Sequence, residues 1–279
     1  MTTNPFLDPG ATRALYRDSA RLATRTSALH QAKIRGRDAA QVIATLIAER
    51  VPGRPRVVLD LGCGRGASTL ALAHTIAPHR LVGVDASATL LAAARTRLAR
   101  AGHADAAAWL CADFHQLPLP GAAADVAVAS FCLYHAPRPE HAIAEIARIL
   151  RPGALAVLAT KSADSYRELD HLVERAGLDR AATRRPSLYH SAHSGNLPAL
   201  AARVLAVEHV EDEQHVFTFT NLAHTAEYLA TSPKYQLPTA LIGNPRALAV
   251  ALRAVVPDAP VTTTSTVTFI VARRAEGTP

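Results

Sequence analysis

Three acidic residues, Asp60, Asp85 and Asp113, each close a short apolar run, and the first leads directly into a turn built on Gly62, Gly64 and Gly66. Carboxylates in such places can accept hydrogen bonds from hydroxyls and amines or sit beside a cation. Glycines let the backbone approach a ligand where a side chain would stand in the way. The stretch Val57 to Thr69, VVLDLGCGRGAST, holds the strongest of these signals. A buried strand meets Asp60, then the turn, and a helical pattern follows through Leu70, Leu72 and Ala73. Free backbone N–H groups and the helix dipole would meet a ligand at this corner.

The elements that must carry these residues follow from periodicity. Residues 12–49 are expected to be largely helical, with Asp38 and Gln41 spaced for a capping box and Val42, Ile43, Leu46 and Ile47 on one face. After the glycine turn, strands are expected at Leu81–Val84, Ala108–Cys111, Asp125–Phe131 and Ala154–Ala159, with helices between them. This alternation implies a parallel sheet covered on both faces. Helices are then expected at Tyr166–Ala176, Leu197–Leu205, Leu222–Ala230 and Arg246–Val256, with strands at Glu208–Thr220 and Thr264–Ala272. The two late strands are natural antiparallel partners. Residues 182–196 form a polar loop, and Gly153 serves as a turn former after the helix. The expected organisation is a helical arm or cap over 1–50, a ligand-binding core over 51–160, sheet completion with inserted lid helices over 161–274, and a frayed tail over 275–279.

Composition narrows the classes of function. Nearly half of the 279 residues are hydrophobic, at 49%, which suits a globular chain with a substantial core. No run approaches the ~20 apolar residues of a membrane span, and MTTNPFLDPG lacks a signal-peptide pattern, so a soluble cytoplasmic protein is expected. The formal charge of +7 raises the question of nucleic acid. The basic residues are scattered, only three of them are lysine, and no aromatic-interleaved stripe accompanies them, so dedicated nucleic-acid binding is not supported. Cys63, Cys111 and Cys132 have no CxxC spacing and are read as reduced, buried thiols.

The turn also satisfies G-x-G-x-x-G/A through Gly62, Gly64 and Ala67, with Asp85 about the ~20 residues beyond that suit a ribose ligand. That pattern fits a nicotinamide cofactor or S-adenosylmethionine equally. Four segments in order, LDLGCGRG, LVGVDAS, ADFHQLPLP and SFCLYHAPRPEHAIAEIARILRPGAL, resemble the class I S-adenosylmethionine-dependent methyltransferases over residues 56–160. The resemblance implies a Rossmann-like, doubly wound α/β fold whose seven-stranded sheet is mostly parallel with an antiparallel last strand, plus a helical cap. It implies that Gly62, Cys63, Gly64 and Gly66 lie under the methionine and ribose portions, with Asp60 near the ammonium group. Asp85, with Ala86 beside it, would take the ribose hydroxyls. Asp113 would accept from the adenine amino group beside Phe114, and Ser130 and Phe131 would border the methyl group.

For the methyl acceptor the sequence offers candidates rather than a motif. His135, just after the fourth core strand, is the candidate general base, since its ring titrates near neutral pH. Tyr134 is a candidate wall residue, and Tyr16 in the arm a candidate contact at the methionine end. Tyr189, His190, His193 and Tyr235 are substrate candidates from the later segments. His190 and His193 lack a third ligand nearby, so no metal is expected. The expected activity is methylation of a small-molecule acceptor, with secondary metabolism as a plausible setting. The alternatives are an NAD(P)-dependent oxidoreductase, which the Asp113 segment disfavours, and a non-methylating S-adenosylmethionine-binding protein. Oligomeric state is open.

Overall fold

The structure is a computed structural model that describes residues 4–277. Thr278 and Pro279 of the expected tail, and Met1 to Thr3 of the amino-terminal stretch, lie outside the described residues. Eight strands are formed: β1 (Lys33–Arg35), β2 (Val57–Leu61), β3 (Arg80–Asp85), β4 (Ala108–Cys111), β5 (Ala124–Ser130), β6 (Leu150–Lys161), β7 (Ala206–Phe219) and β8 (Val261–Arg273). They make one sheet in the order β1-β7-β8-β6-β5-β2-β3-β4. The pairs β2–β3, β2–β5, β3–β4 and β5–β6 are parallel, whereas β6–β8 is antiparallel. The mostly parallel, doubly wound α/β sheet is therefore as expected from the alternation of strands and helices.

The eighth strand is a correction to the expected seven, and it interrupts a region expected to be helical. β1 has only three residues and pairs antiparallel with β7 through Lys33↔Phe217. No local signal marks it, because its partner lies far along the chain. It is followed by Gly36, whose φ of +103° and position against the His215 ring leave no room for a Cβ. β6 is also longer than expected. It starts directly after the helix Pro139–Ile149, and Gly153 lies inside it at φ +73°, its N–H bonded to the Arg274 carbonyl. The helix expected over Leu197–Leu205 ends at Ala201.

The chain divides into two compact units that interleave in sequence. One holds residues up to 36 with 163–190 and 213–266; the other holds 37–162, 191–212 and everything from 267 onward. The second unit contains the parallel strands and a core in which Ile43 and Ile47, from the helix Ala39–Ala48, pack with Val58, Leu81, Val126, Val157 and Phe269. Asp38 caps that helix by accepting from the Gln41 N–H at 3.0 Å, as its spacing predicted. Phe269→Ala should destabilise the fold by about 3–5 kcal/mol, since it empties a fully buried site between strands. Denaturant unfolding monitored by circular dichroism checks this.

The first unit has an aromatic core of its own. The Tyr166 ring lies 5.6 Å from both the Phe217 and the Tyr228 rings, and Phe219 lies 5.8 Å from Tyr228. The helices Leu222–Leu229 and Pro245–Arg253 supply further buried residues, including Leu229, Leu248 and Leu252. Among the described residues no helix is long and apolar enough to cross a membrane.

Candidate active site

Within the second unit, β3 and β4 extend the sheet on one side of β2 while β5 and β6 extend it on the other. The carboxyl end of β2 is therefore the topological switch point, where open α/β sheets bind ligands. Asp60 lies there, fully buried, one residue before the strand ends. Its Oδ2 accepts from the Ser68 hydroxyl at 2.8 Å and the Thr69 hydroxyl at 2.6 Å, both in the first turn of the helix Ala67–Thr75. Its Oδ1 has no hydrogen-bond partner among the described residues. An unmet carboxylate oxygen at the switch point is an acceptor for a cationic or N–H group.

Burial raises the Asp60 pKa to about 6, with the nearby Asp85 adding to the shift and the two hydroxyls opposing it. Because the folded value is above the unfolded one, the stability linked to this group is fully present below about pH 4 and is lost as pH rises through about 6. Unfolding free energy should accordingly drop by about 1 kcal/mol between pH 5 and 7.5 through this group alone, at 1.36 kcal/mol per pKa unit. Chemical denaturation at the two pH values, with Asp60→Asn removing this part of the difference, checks it.

The turn after β2 shapes a cradle. Gly62 and Gly64 have φ of +62° and +54°, and a Cβ on Gly64 would meet nothing within 4 Å. Cys63 N–H donates to the Val84 carbonyl at 2.9 Å, which ties the turn to β3. Gly66 starts the next helix in the left-handed conformation without a side-chain cap. Asp85 closes β3 and fastens the turn: Oδ2 accepts from Gly64 N–H at 2.9 Å and Oδ1 from Ser87 N–H at 2.8 Å. Each oxygen keeps a lone pair for a further donor, so a bidentate grip on two hydroxyls is compatible with these bonds. Burial raises the Asp85 pKa, and the two N–H donors hold it partly back. Ala86 beside it is exposed.

Asp113 follows β4 and is 67% exposed in its side chain. Its Oδ1 accepts from the His115 N–H at 2.9 Å and contacts the His115 ring Nδ1 at 2.6 Å. Partial burial pushes its pKa up, but the His115 contacts outweigh this and leave it below the usual carboxylate range. His115 also lies against Phe114, with ring centroids 4.8 Å apart. Its part was not anticipated, although it stands inside the segment ADFHQLPLP.

At the end of β5, Phe131 adopts φ +54°, unusual for a side chain of its size, and its N–H is held by the Ala159 carbonyl at 2.9 Å. Lys161 Nζ lies 5.4 Å from the centre of its ring. This cation at the end of β6 was also missed, though it is one of the chain's few lysines. Ser130 is partly buried at the last position of β5. The short 3-10 turn Leu133–His135 then places the Tyr134 and His135 rings 4.9 Å apart. The neighbouring loop is anchored here: Ser191 donates to the Tyr134 carbonyl at 3.0 Å and Ser194 N–H to the Lys161 carbonyl at 3.1 Å. His193 caps its own turn, its Nδ1 accepting from Gly195 N–H at 3.0 Å.

The remaining candidates belong to the first unit. Tyr16 ends the helix Pro9–Leu15; Tyr189 and Tyr235 are buried and His190 is exposed. The two loop histidines thus fall in different units. Among the described residues no three His, Cys, Asp or Glu side chains are grouped to hold a metal ion. The cysteine reading needs one correction. Cys63 and Cys132 are buried and burial pushes both thiols up, but Cys111 is exposed at the short edge strand β4.

The strand order and the carboxylates at the switch point define a Rossmann-like α/β domain with a ligand corner at the carboxyl end of β2. Over this region the chain is similar to methyltransferases. Residues 59–158 match the family described as Methyltransferase domain. The chain is 38% identical over 151 residues to a trans-aconitate 2-methyltransferase of Delftia acidovorans, covering 53% of this chain and 51% of the relative. It is 30% identical over 179 residues to a malonyl-[acyl-carrier protein] O-methyltransferase of Laribacter hongkongensis, covering 61% and 59%. The chain spans about half the length of the curated relatives it matches. Its fold is similar to that of a Bacillus halodurans C-125 protein described as a candidate methyltransferase, with a TM-score of 0.60, 17% identity, and 85% and 99% of the two chains covered.

Proposed function

We propose that this protein is an S-adenosylmethionine-dependent methyltransferase acting on a small-molecule acceptor by in-line transfer, in the cytoplasm. The observation that carries the reading is the buried Asp60 oxygen without a hydrogen-bond partner, set beside a glycine cradle that Asp85 holds in shape. A zwitterionic cofactor with an ammonium group and a ribose needs these partners: one carboxylate oxygen for the cation, a two-oxygen acceptor for adjacent hydroxyls, and backbone that can be approached closely. The residues present fit that group.

When bound, S-adenosylmethionine supplies a methyl group on a sulfonium, an electrophile that needs no metal. Asp60 would take the ammonium group and Asp85 the ribose hydroxyls. Gly62, Cys63, Gly64 and Gly66 would lie beneath the chain of the cofactor, with Ala86, Asp113 and Phe114 toward the adenine. His115 would fix Asp113 in place, since it already holds one of its oxygens. Ser130 and Phe131 would border the transferred group. The strained backbone of Phe131, pinned by Ala159, would set the ring that excludes water there.

On the acceptor side, His135 would remove a proton from an acceptor hydroxyl or acidic carbon, with Tyr134 as a wall. The domain reading of an amino-terminal arm, a binding core and later lid helices remains part of this proposal, as does His193 toward the acceptor, while Tyr16, Tyr189, His190 and Tyr235 are kept as ligand candidates on their sequence positions alone. Both named relatives act on acids, which favours an acidic acceptor here.

The test is incubation with methyl-labelled S-adenosylmethionine and a panel of small organic acids, read by mass spectrometry. The expected result is label in a product together with S-adenosylhomocysteine. Where the methylated atom is a hydroxyl oxygen or a carbon, His135→Ala should then lower kcat by about 10²-fold, the low end for a general base, with little change in cofactor affinity; where it is a carboxylate oxygen, which carries no proton to remove, kcat should stay nearly unchanged. Absence of label in every acceptor, with S-adenosylmethionine nevertheless bound, would favour a non-methylating role.

A further inference from the structure

The first unit holds a narrow depression of its own, partly open to solvent, with about 10 Å³ of room for a water-sized group. Four of the chain's six tyrosines line it: Tyr166, Tyr189, Tyr228 and Tyr235. Its one carboxylate, Asp170, has both oxygens engaged by donors of the same unit. Lys234 Nζ donates to one oxygen at 2.6 Å, and the Tyr235 hydroxyl donates to the other at 2.9 Å.

Donors are left over. The Lys234 ammonium carries three N–H bonds, of which only the one to Asp170 has a protein acceptor among the described residues. Its side chain is only 13% exposed. Tyr228 is only 5% exposed, and burial raises its pKa, so its hydroxyl keeps its proton for donation. Ser187 and Ser232 use their oxygens to accept from the Tyr189 N–H at 3.2 Å and the Lys234 N–H at 3.4 Å, which leaves their own protons for donation.

The local charge has the same sense. Lys234 and Arg25, whose charge acts on both Tyr166 and Tyr228, are joined by Arg21, which donates to the Thr231 carbonyl at 3.2 Å beside Ser232. Asp170 is the acidic counterpart, with His171 acting on it as a further cation. A cage for a methylated ammonium is disfavoured, because these cations would repel it. The Tyr166 and Tyr228 rings also pack on each other, 5.6 Å apart, rather than framing an opening.

We propose that this depression is a binding site for the carboxylate of a small organic acid, received by Lys234, Tyr228, Ser187 and Ser232. The site stands on the first unit alone and goes beyond the methyl-transfer reading. Lys234 would give two charge-assisted bonds while keeping its bond to Asp170, and the narrow space suits a single small polar group with the rest of the acid directed outward.

Calorimetric titration of the full chain with acetate and benzoate, against benzamide and choline, tests this. Benzoate should bind saturably, benzamide at least about ten-fold more weakly, since it lacks the charge, and choline not at all. Tyr228→Phe should weaken benzoate about three- to ten-fold, and Lys234→Met more. Because Lys234→Met strands Asp170 and can unfold the unit, Tyr228→Phe and Ser232→Ala carry the test if it does. S-adenosylmethionine affinity, measured on the same variants, should stay unchanged, so a failure here is distinguishable from a failure of the cofactor assignment. Equal binding of benzamide and benzoate, preference for choline, no saturable binding of either acid, or a Tyr228→Phe variant with unchanged affinity would overturn the proposal.

Discussion

Asp85→Ala should abolish tight S-adenosylmethionine binding and leave the fold intact. The carboxylate is placed at the end of β3, faces the turn, and keeps a lone pair on each oxygen after accepting from Gly64 and Ser87. Two hydrogen bonds from ribose hydroxyls to a charged acceptor are worth about 1.5–3 kcal/mol each, so their joint loss corresponds to about 10²- to 10⁴-fold in Kd. The variant also releases the Gly64 N–H, so the cradle should loosen and the Tm should fall by a few degrees at most. The core beneath it, around Val58, Leu81 and Val126, does not depend on this side chain. Calorimetry with thermal unfolding separates the two effects. Unchanged affinity in a folded variant would remove Asp85 from the site.

Gly62 and Gly64 should respond to the same change differently, the first chiefly in stability and the second chiefly in cofactor binding. A Cβ on Gly62 would come within 2.4 Å of the Cys132 Cβ, with the backbone at φ +62°. The left-handed backbone costs about 1–2 kcal/mol and the overlap about 1–3 more. Gly62→Ala should therefore destabilise by about 3 kcal/mol, and Cys132→Gly in the same chain should recover the part due to overlap. Gly64→Ala meets no atom within 4 Å, so only the backbone term of about 1 kcal/mol applies. Its methyl group would stand in the open cradle instead, and the loss should appear as weaker cofactor binding. Denaturation curves and cofactor titrations on the two single variants give this contrast directly. Equal effects on stability would show that the turn is not packed as described.

The strand ends that carry Asp60 and Asp85 were legible because their signals are local. Asp60 and Asp85 follow apolar runs that can only be strands at this spacing, and the alternation of strands with helices orders them in one sheet. β4, expected at Ala108–Cys111, is formed over those residues. What escaped the sequence depends on partners far along the chain. β1 exists because residues 33–35 find β7, and Gly36 is required because His215 lies against it. The left-handed Phe131 is held by a carbonyl of β6, which no local pattern around SFCLYH encodes. Tyr235 was a candidate from its type alone, whereas its tie to Asp170 bridges 65 positions. His115 stood within the segment ADFHQLPLP and was given no role there. It acts through Asp113 two residues away, and a short Asp-x-His spacing was the available clue.

The most direct measurement is calorimetric titration of the unmodified chain with S-adenosylmethionine and, separately, with NAD. Saturable one-to-one binding of S-adenosylmethionine, with NAD at least about 10²-fold weaker (a difference of about 2.7 kcal/mol), is the predicted result. Tighter binding of NAD, or no saturable binding of S-adenosylmethionine, would contradict the assignment of the Asp60–Asp85 corner.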